Sequence, residues 1–415
     1  MELGDAENLV LVTFDSLRAD VLTGYGGERK VMPNLEEVSE NGLVFQDFYA
    51  NGPKTPAAMP SVFSGRLPFE GDYGEIDRSF VEELSDLGYR TYGFQRNALL
   101  NPENGFSRGF DRFDYRGYFV SRISSALDRL GLSRAAEKIF RRYERWKFRK
   151  EPREMLDFLE EVEMEDPFFL WFHVTSCHFP YLPSEKYSEQ FGVEDPGEIN
   201  SRIREDEKSE ELAEDARAAY EARLREIDER FISRLREEVP DDTALMITAD
   251  HGEEFLDHGG WLHSMPEPKL YNELLKVPML LEVAGAGAGE IEERHQQIEI
   301  PGLVLQALGE EVPEEYRFER DEVVSQVRGN LPGKAVPDDS AAVSVVSGDH
   351  KYISTPGGEE LYDLGEDPGE QRDVSGEEPG TVEELRAKVP GESPGAQGEE
   401  EEIRRRLEFL GYGDR

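Results

Sequence analysis

Asn8-Leu9-Val10-Leu11-Val12-Thr13-Phe14-Asp15 and Thr243-Ala244-Leu245-Met246-Ile247-Thr248-Ala249-Asp250-His251-Gly252 are the stretches that decide the fold. Each is a mostly apolar run of the length of a fully buried strand, and each ends on a carboxylate. Ligands of open α/β sheets collect beyond the carboxyl ends of the strands. Two such ends, far apart in sequence and both carrying metal-ligand residue types, imply one shared site at the edge of one sheet.

Outward from these runs, residues 8–116 alternate strand-like and helix-like segments, the α/β pattern. Pro33 to Glu40 reads as a helix opened by proline. Ser79 to Leu87 reads as another, with a serine cap, Glu82 three residues on and a stop at Gly88. Tyr89–Gln95 and Pro167–Val174 read as strands. Residues 188–239 are highly charged and largely helical. There Tyr220, Leu224, Ile227, Phe231 and Leu235 make one apolar stripe on one helix. A short helix is expected over 269–276, a strand over Val277–Val283 and a surface turn over Ala284–Gly289. Beyond about 310 the pattern weakens to short strands at Ala341–Val346, Lys351–Ser354 and Leu361–Asp363, a Gly/Pro/Glu-rich loop over 364–400 and a closing helix over Glu401–Leu410. The expected fold class is therefore α/β. A catalytic domain (1–310) has a mostly parallel central sheet flanked by helices, and a small C-terminal α+β subdomain (311–415) is built on an antiparallel sheet. Residues 117–160 hold the only basic island, a helical insertion with Arg141, Arg142, Arg145, Lys147, Arg149 and Lys150 on one pattern.

The formal charge is −43, and lysine supplies only 12 of the 47 basic residues. Such self-repulsion is tolerated where concentrated cations screen it, as in the cytoplasm of a halophilic archaeon. The same charge repels nucleic acid phosphates and anionic lipid headgroups. Cys177 is the sole cysteine, so no internal disulfide forms, and its apolar surroundings mark it as a buried small side chain. With no signal-like start and no membrane-length apolar run, the expected location is cytoplasmic, without a membrane partner.

A nucleophile is needed beside the two carboxylates. In Asn51-Gly52-Pro53-Lys54-Thr55-Pro56-Ala57-Ala58-Met59-Pro60-Ser61 a Pro- and Gly-containing turn enters a short helix. A hydroxyl at a helix start sits among unpaired N–H groups, where a tetrahedral anion is welcome. Thr55 opens this helix, while Ser61 and Ser64 lie inside it. The plain alternative for Thr55 is an ordinary helix cap.

The motifs, in order, resemble the sulfatase branch of the alkaline phosphatase superfamily over nearly the full chain. They are the strand ending in Asp15; Met32-Pro33-Asn34-Leu35; Thr55 to Gly65; Gly88-Tyr89-Arg90-Thr91; Pro167 to Leu170 with His178-Phe179-Pro180-Tyr181; Asp250-His251-Gly252-Glu253 with His258 and His263; Leu270-Tyr271 with Val277-Pro278; and Glu360 to Leu364 with Asp367-Pro368. The resemblance implies an alkaline phosphatase-like fold and hydrolysis of a sulfate or phosphate ester on a small molecule or glycan.

The departures redirect the chemistry. The family's Cys-x-Pro-Ser-Arg motif, whose first residue becomes formylglycine, falls on Thr55 to Met59. A secondary alcohol cannot become that aldehyde, so no formylglycine is expected. Relatives with threonine here form a phospho-threonine. By that likeness one divalent metal is held by Asp15, Thr55, Asp250 and His251, with Mn²⁺ or Zn²⁺ favoured over Ca²⁺ or Mg²⁺ because of the imidazole. Ser16 stands where the family has a second aspartate. The metal lowers the pKa of the Thr55 alcohol for in-line attack. His263 and His178 match positions that contact the transferred group, and either protonates the leaving oxygen or orients water. Lys54, Arg96 and Asn97 are substrate-binding candidates, and His258 is assigned a structural role. The nucleophile favours phosphate mono- or diesters. Two other readings stay open: a phosphoryl-group transferase of the phosphoethanolamine type, and a non-catalytic binding module that keeps the fold.

Overall fold

The computed structural model describes residues 3–115, 148–263, 268–317, 322–328 and 341–390. Most of the basic 117–160 insertion and the expected 401–410 helix lie outside these residues.

The strands in chain order are β1 (Asn8–Phe14), β2 (Leu43–Tyr49), β3 (Arg90–Gln95), β4 (Arg112–Tyr115), β5 (Phe168–Val174), β6 (Thr243–Ala249), β7 (Glu254–Phe255), β8 (Trp261–Leu262), β9 (Met279–Glu282), β10 (Gly289–Gln296), β11 (Val323–Arg328), β12 (Ala341–Ser347), β13 (His350–Thr355) and β14 (Gly358–Asp363). The large sheet runs β10-β2-β9-β6-β1-β5-β3-β4. β9 alone is antiparallel to its neighbours β2 and β6. β1, β5 and β6 lie at the centre and every residue in them is buried. This explains why they read as continuous apolar runs, since central strands of such a sheet are covered on both faces.

Register does the work that positions the site. Phe14 pairs with Val174 on one side and with Ala249 on the other. The next N–H groups extend the ladder: Asp15 N–H donates to Val174 O and Asp250 N–H to Phe14 O, both at 3.0 Å. The two carboxylates therefore leave adjacent strands at the same level.

Helix α1 (Pro33–Asn41) starts on its proline, helix α2 is Thr55–Ser64, and helix α3 (Phe80–Asp86) carries the full Ser79–Glu82 capping box. The 220–235 stripe is fully buried. It does not lie on one uniform helix: the 210–227 helix passes through a wider π turn at Asp228–Ile232 before resuming at Ser233. That turn delivers the Asp228 carboxylate to the N–H groups of Asn34 and Leu35. Burial pushes the Asp228 carboxyl up to about 6.

The second sheet, β11-β12-β13-β14, is antiparallel throughout. Val324, Val345, Tyr352 and Leu361 pack there with Val374, Val382 and Leu385. The last two belong to a helix, Pro379–Ala387, in the stretch expected to be loop. Its proline start and its apolar positions three apart outweigh the Gly and Glu around it. Six strands went unread, the two-residue β7 and β8 and four longer ones. β2 is interrupted by Gln46 and Asp47, β10 is a polar edge strand, β4 has four residues, and β11 carries Ser325 and Gln326 in its middle. Among the described residues no helix is long and apolar enough to cross a membrane.

Candidate active site

At the carboxyl edge of β1 and β6, one ligand atom from each of Asp15, Asp250 and His251 lies within 4.8 Å of the others, and all three residues are buried. The His251 ring is fixed by the backbone of the next residue: Nδ1 lies 2.8 Å from Gly252 O. A carbonyl can only accept, so Nδ1 carries the proton and Nε2 presents a lone pair. That Nε2 is buried, lies 3.5 Å from Asp250 Oδ2 and 3.9 Å from Asp15 Oδ1, and has no hydrogen-bond partner. Burial pushes the His251 imidazole down to about 3, helped by the His263 charge, so it is neutral as a ligand must be.

The two carboxylates respond oppositely to sharing one dry space. Burial pushes Asp15 up, but the His178, His173 and His251 imidazoles outweigh it and hold Asp15 well below the carboxylate range. Asp250 is pushed well up by burial and by the Asp15 charge. Two facing acids and an orphaned imidazole nitrogen fit a divalent cation of the borderline class that takes mixed oxygen and nitrogen donors.

Thr55 is the first helical residue of α2, and Lys54 occupies the cap position without a side-chain capping bond. The threonine hydroxyl is therefore not spent on an ordinary cap. Its Oγ1 donates to Asp250 Oδ2 at 2.9 Å. Gly52 makes this entry possible, because a Cβ there would lie 2.3 Å from that of Ala57. Likewise Gly252 admits the chain next to Glu273, whose carbonyl a Cβ would meet at 2.0 Å. Ser16 adopts a left-handed φ of 69° and turns its N–H onto Asp250 Oδ1 at 3.0 Å. Strain of this kind clusters at functional sites.

The remaining candidates gather around this core. His263 lies ring to ring with His251 at 4.2 Å and with His178 at 5.0 Å. Its Nδ1 is 2.8 Å from Glu253 Oε1, and Tyr181 donates its hydroxyl to Glu253 Oε2 at 2.7 Å. Burial holds His263 at about 3, with the His178 charge adding to it. Burial also raises Glu253 to about 7, against the pull of His178 and the Tyr181 bond. His178 Nδ1 meets Phe179 O at 2.6 Å, and because a carbonyl only accepts, Nδ1 carries a proton. Lys54 is buried, its ammonium bonded to Arg328 O at 2.9 Å, and burial lowers it to about 8. Asn97 donates to Asp15 Oδ2 at 3.0 Å, and Arg96 pairs with Glu154 at 2.8 Å. His258 stands apart, stacked on Tyr271 at 3.7 Å and bonded to Glu273. Cys177 is buried, its thiol 2.9 Å from Asp15 O and pushed well up by burial.

Sequence reasoning named Glu253 only as the last residue of the Asp250-His251-Gly252-Glu253 motif and gave it no role, and it missed His173. His173 sits in β5 opposite Thr13, inside a run that reads as pure strand.

A family model described as Sulfatase matches residues 7–310, most of the chain. The chain belongs to the sulfatase family. This is a family of ester hydrolases, and the central sheet and antiparallel second sheet follow solved sulfatase structures. An arylsulfatase of Clostridium perfringens is 24% identical over 331 residues, covering 66% of this chain and 68% of that protein. Human N-acetylgalactosamine-6-sulfatase is 22% identical over 48% of this chain and 44% of its own length. Among solved structures, a protein in complex with its substrate D-glucosamine-2-N,6-O-disulfate superposes with a TM-score of 0.69 at 14% identity, covering 97% of this chain and 98% of that one. The phosphonate monoester hydrolase of Agrobacterium radiobacter gives a TM-score of 0.68 at 16% identity, with 97% and 96% covered.

Proposed function

We propose that this sulfatase-family chain is a metal-dependent ester hydrolase in which the Thr55 hydroxyl is the nucleophile, with phosphate mono- or diesters preferred over sulfate esters. The observation that carries the reading is the 2.9 Å bond from Thr55 Oγ1 to Asp250 Oδ2, made from the first turn of α2 into the Asp15–Asp250–His251 cluster. Asp15, Asp250 and His251 would hold one divalent ion, Mn²⁺ or Zn²⁺ by their donor set, with Thr55 as a fourth ligand. When bound, such an ion supplies positive charge that eases ionisation of the alcohol and offsets charge on the ester oxygens.

The chain's own groups complete the reaction. Asp250 Oδ2 takes the Thr55 proton as the Oγ–phosphorus bond forms. The bond to the leaving oxygen breaks in line, and that oxygen takes a proton from His178 Nε2. A water then attacks the phospho-threonine, giving its proton back to His178. Thr55 leaves and recovers its proton from Asp250. His263, neutral and held through Nδ1 by Glu253, turns Nε2 to the reacting group and orients that water. Lys54 supplies a cation beside the nucleophile for the ester oxygens. Arg96, committed to Glu154, and Asn97, committed to Asp15, shape the anion pocket through those partners. A threonine at this position leaves formylglycine chemistry aside. The division at residue 310 and a salt-rich cytoplasmic setting complete the reading, the second supported by the charge of −43.

The test is an assay of Mn²⁺- or Zn²⁺-loaded enzyme in high salt. The probes are nitrophenyl phosphate, bis-nitrophenyl phosphate, a nitrophenyl phosphonate ester and nitrophenyl sulfate. The reading expects a phosphorus ester to give the highest kcat/KM. Turnover of the sulfate alone overturns it.

A further inference from the structure

Beneath the proposed metal ligands lies a buried chain of side chains that the reaction above does not use. Trp171 Nε1 lies 2.9 Å from Thr13 Oγ1, and Thr13 Oγ1 lies 2.9 Å from His173 Nδ1. His173 Nε2 lies 3.5 Å from Asp15 Oδ2. All four side chains are buried in the central sheet, and Thr13 and His173 are register partners on β1 and β5.

The direction of these bonds follows from what each group can do. An indole N–H only donates, so it fills one lone pair of the Thr13 hydroxyl. The hydroxyl proton then has two takers, His173 Nδ1 at 2.9 Å or Phe172 O at 3.4 Å. The shorter contact makes Nδ1 the acceptor, which puts the neutral ring's proton on Nε2, facing the carboxylate. The other tautomer would turn a lone pair onto a buried anion. Asp15 Oδ2 thus accepts from Asn97 at 3.0 Å and faces His173 Nε2 at 3.5 Å, while Oδ1 takes the Ser16 hydroxyl at 3.3 Å and keeps its other lone pair on the side of His251 Nε2.

We propose that His173, oriented by Thr13 and Trp171, is a positioning residue that divides the two oxygens of Asp15, tying Oδ2 to the sheet and leaving Oδ1 for the divalent cation. This rests on the metal-site reading given above. Partners behind a ligand of this kind alter metal affinity by about ten- to a hundredfold when removed.

The test is calorimetric titration of MnCl₂ into dialysed full-length protein in high salt, with melting temperature recorded alongside. His173→Phe, which keeps a ring but no donor, is expected to weaken Mn²⁺ binding by about ten- to a hundredfold. His173→Gln, whose amide can donate to Oδ2, is expected to recover most of it. Thr13→Val should weaken binding in the same direction and Thr13→Ser should not, which keeps the test alive should the phenylalanine variant fail to fold. A folded His173→Phe or Thr13→Val protein with wild-type Mn²⁺ affinity overturns the proposal while leaving the metal site standing, provided Asp15→Ala abolishes binding. A wild-type protein that takes up neither Mn²⁺ nor Zn²⁺ overturns the metal site and the positioning role together.

Discussion

Acids are buried at two places in this molecule, and the protein treats them differently. At the carboxyl edge of the central sheet, Asp15 and Asp250 face each other, and among the described residues only histidines stand within ion-pair distance of them. At the second sheet, Glu370 is matched to Lys351 at 2.7 Å with both side chains fully buried. There burial pushes Glu370 up and Lys351 down against their mutual attraction, so the pair is closed rather than strongly stabilising. Among the described residues no lysine or arginine stands within ion-pair distance of the first pair of acids, whereas Lys351 answers the second site's acid. An uncompensated acid pair costs stability, and a fold keeps it where a cation from outside completes the site.

The largest effect expected from this contrast is catalytic. Thr55→Ala should lower turnover by about three orders of magnitude or more, as loss of a covalent nucleophile does. The dialysed variant should retain its metal, because Asp15, Asp250 and His251 remain, and steady-state assay with metal analysis checks both halves. Next come the acids themselves. Glu370→Gln leaves the Lys351 ammonium buried without its counter-charge and should cost about 3–5 kcal/mol in denaturant unfolding. Asp250→Asn should do the reverse in metal-free protein, where replacing an acid that burial and Asp15 already disfavour in its charged form leaves stability unchanged or raised, while Mn²⁺ affinity falls about a hundredfold or more. Equal destabilisation by the two variants would erase the distinction between open and closed sites.

A smaller effect sits on pH. Lys54 is lowered to about 8 by burial, so its cation is present below that pH and lost above it. If it holds ester oxygens, kcat/KM should fall about tenfold per unit above pH 8. Lys54→Arg, charged throughout, should remove that limb from the pH–rate profile even at a lower plateau. The least local effect is salt: the −43 charge predicts a melting temperature that rises between dilute buffer and molar KCl. An unchanged melting temperature would remove the salt-adapted reading.

The open site was far more legible in the sequence than the region around the closed one. β1, β5 and β6 are buried on both faces, so their apolar runs announce strands and the acids after β1 and β6 announce an edge. The pairing of those edges needed three-dimensional register, yet the motif order anticipated it. Half-buried or edge strands such as β2 and β10 interleave polar residues, and no clean period marks them. The Pro379–Ala387 helix was hidden by composition, because only two of its side chains reach the second core. Single residues with distant partners were the least visible. Nothing near Glu370 in sequence names Lys351, and nothing near His173 names Thr13, since each pair is made by strand or loop register alone.

The account turns on Thr55 as the atom that bonds to the substrate. Metal-loaded enzyme quenched during turnover of bis-nitrophenyl phosphate, digested and read by mass spectrometry, tests this directly. The account predicts a phosphoryl ester on the peptide carrying Thr55, at the threonine and absent from Thr55→Ala. Turnover that proceeds with Thr55 unmodified, and at an undiminished rate in the alanine variant, would contradict it.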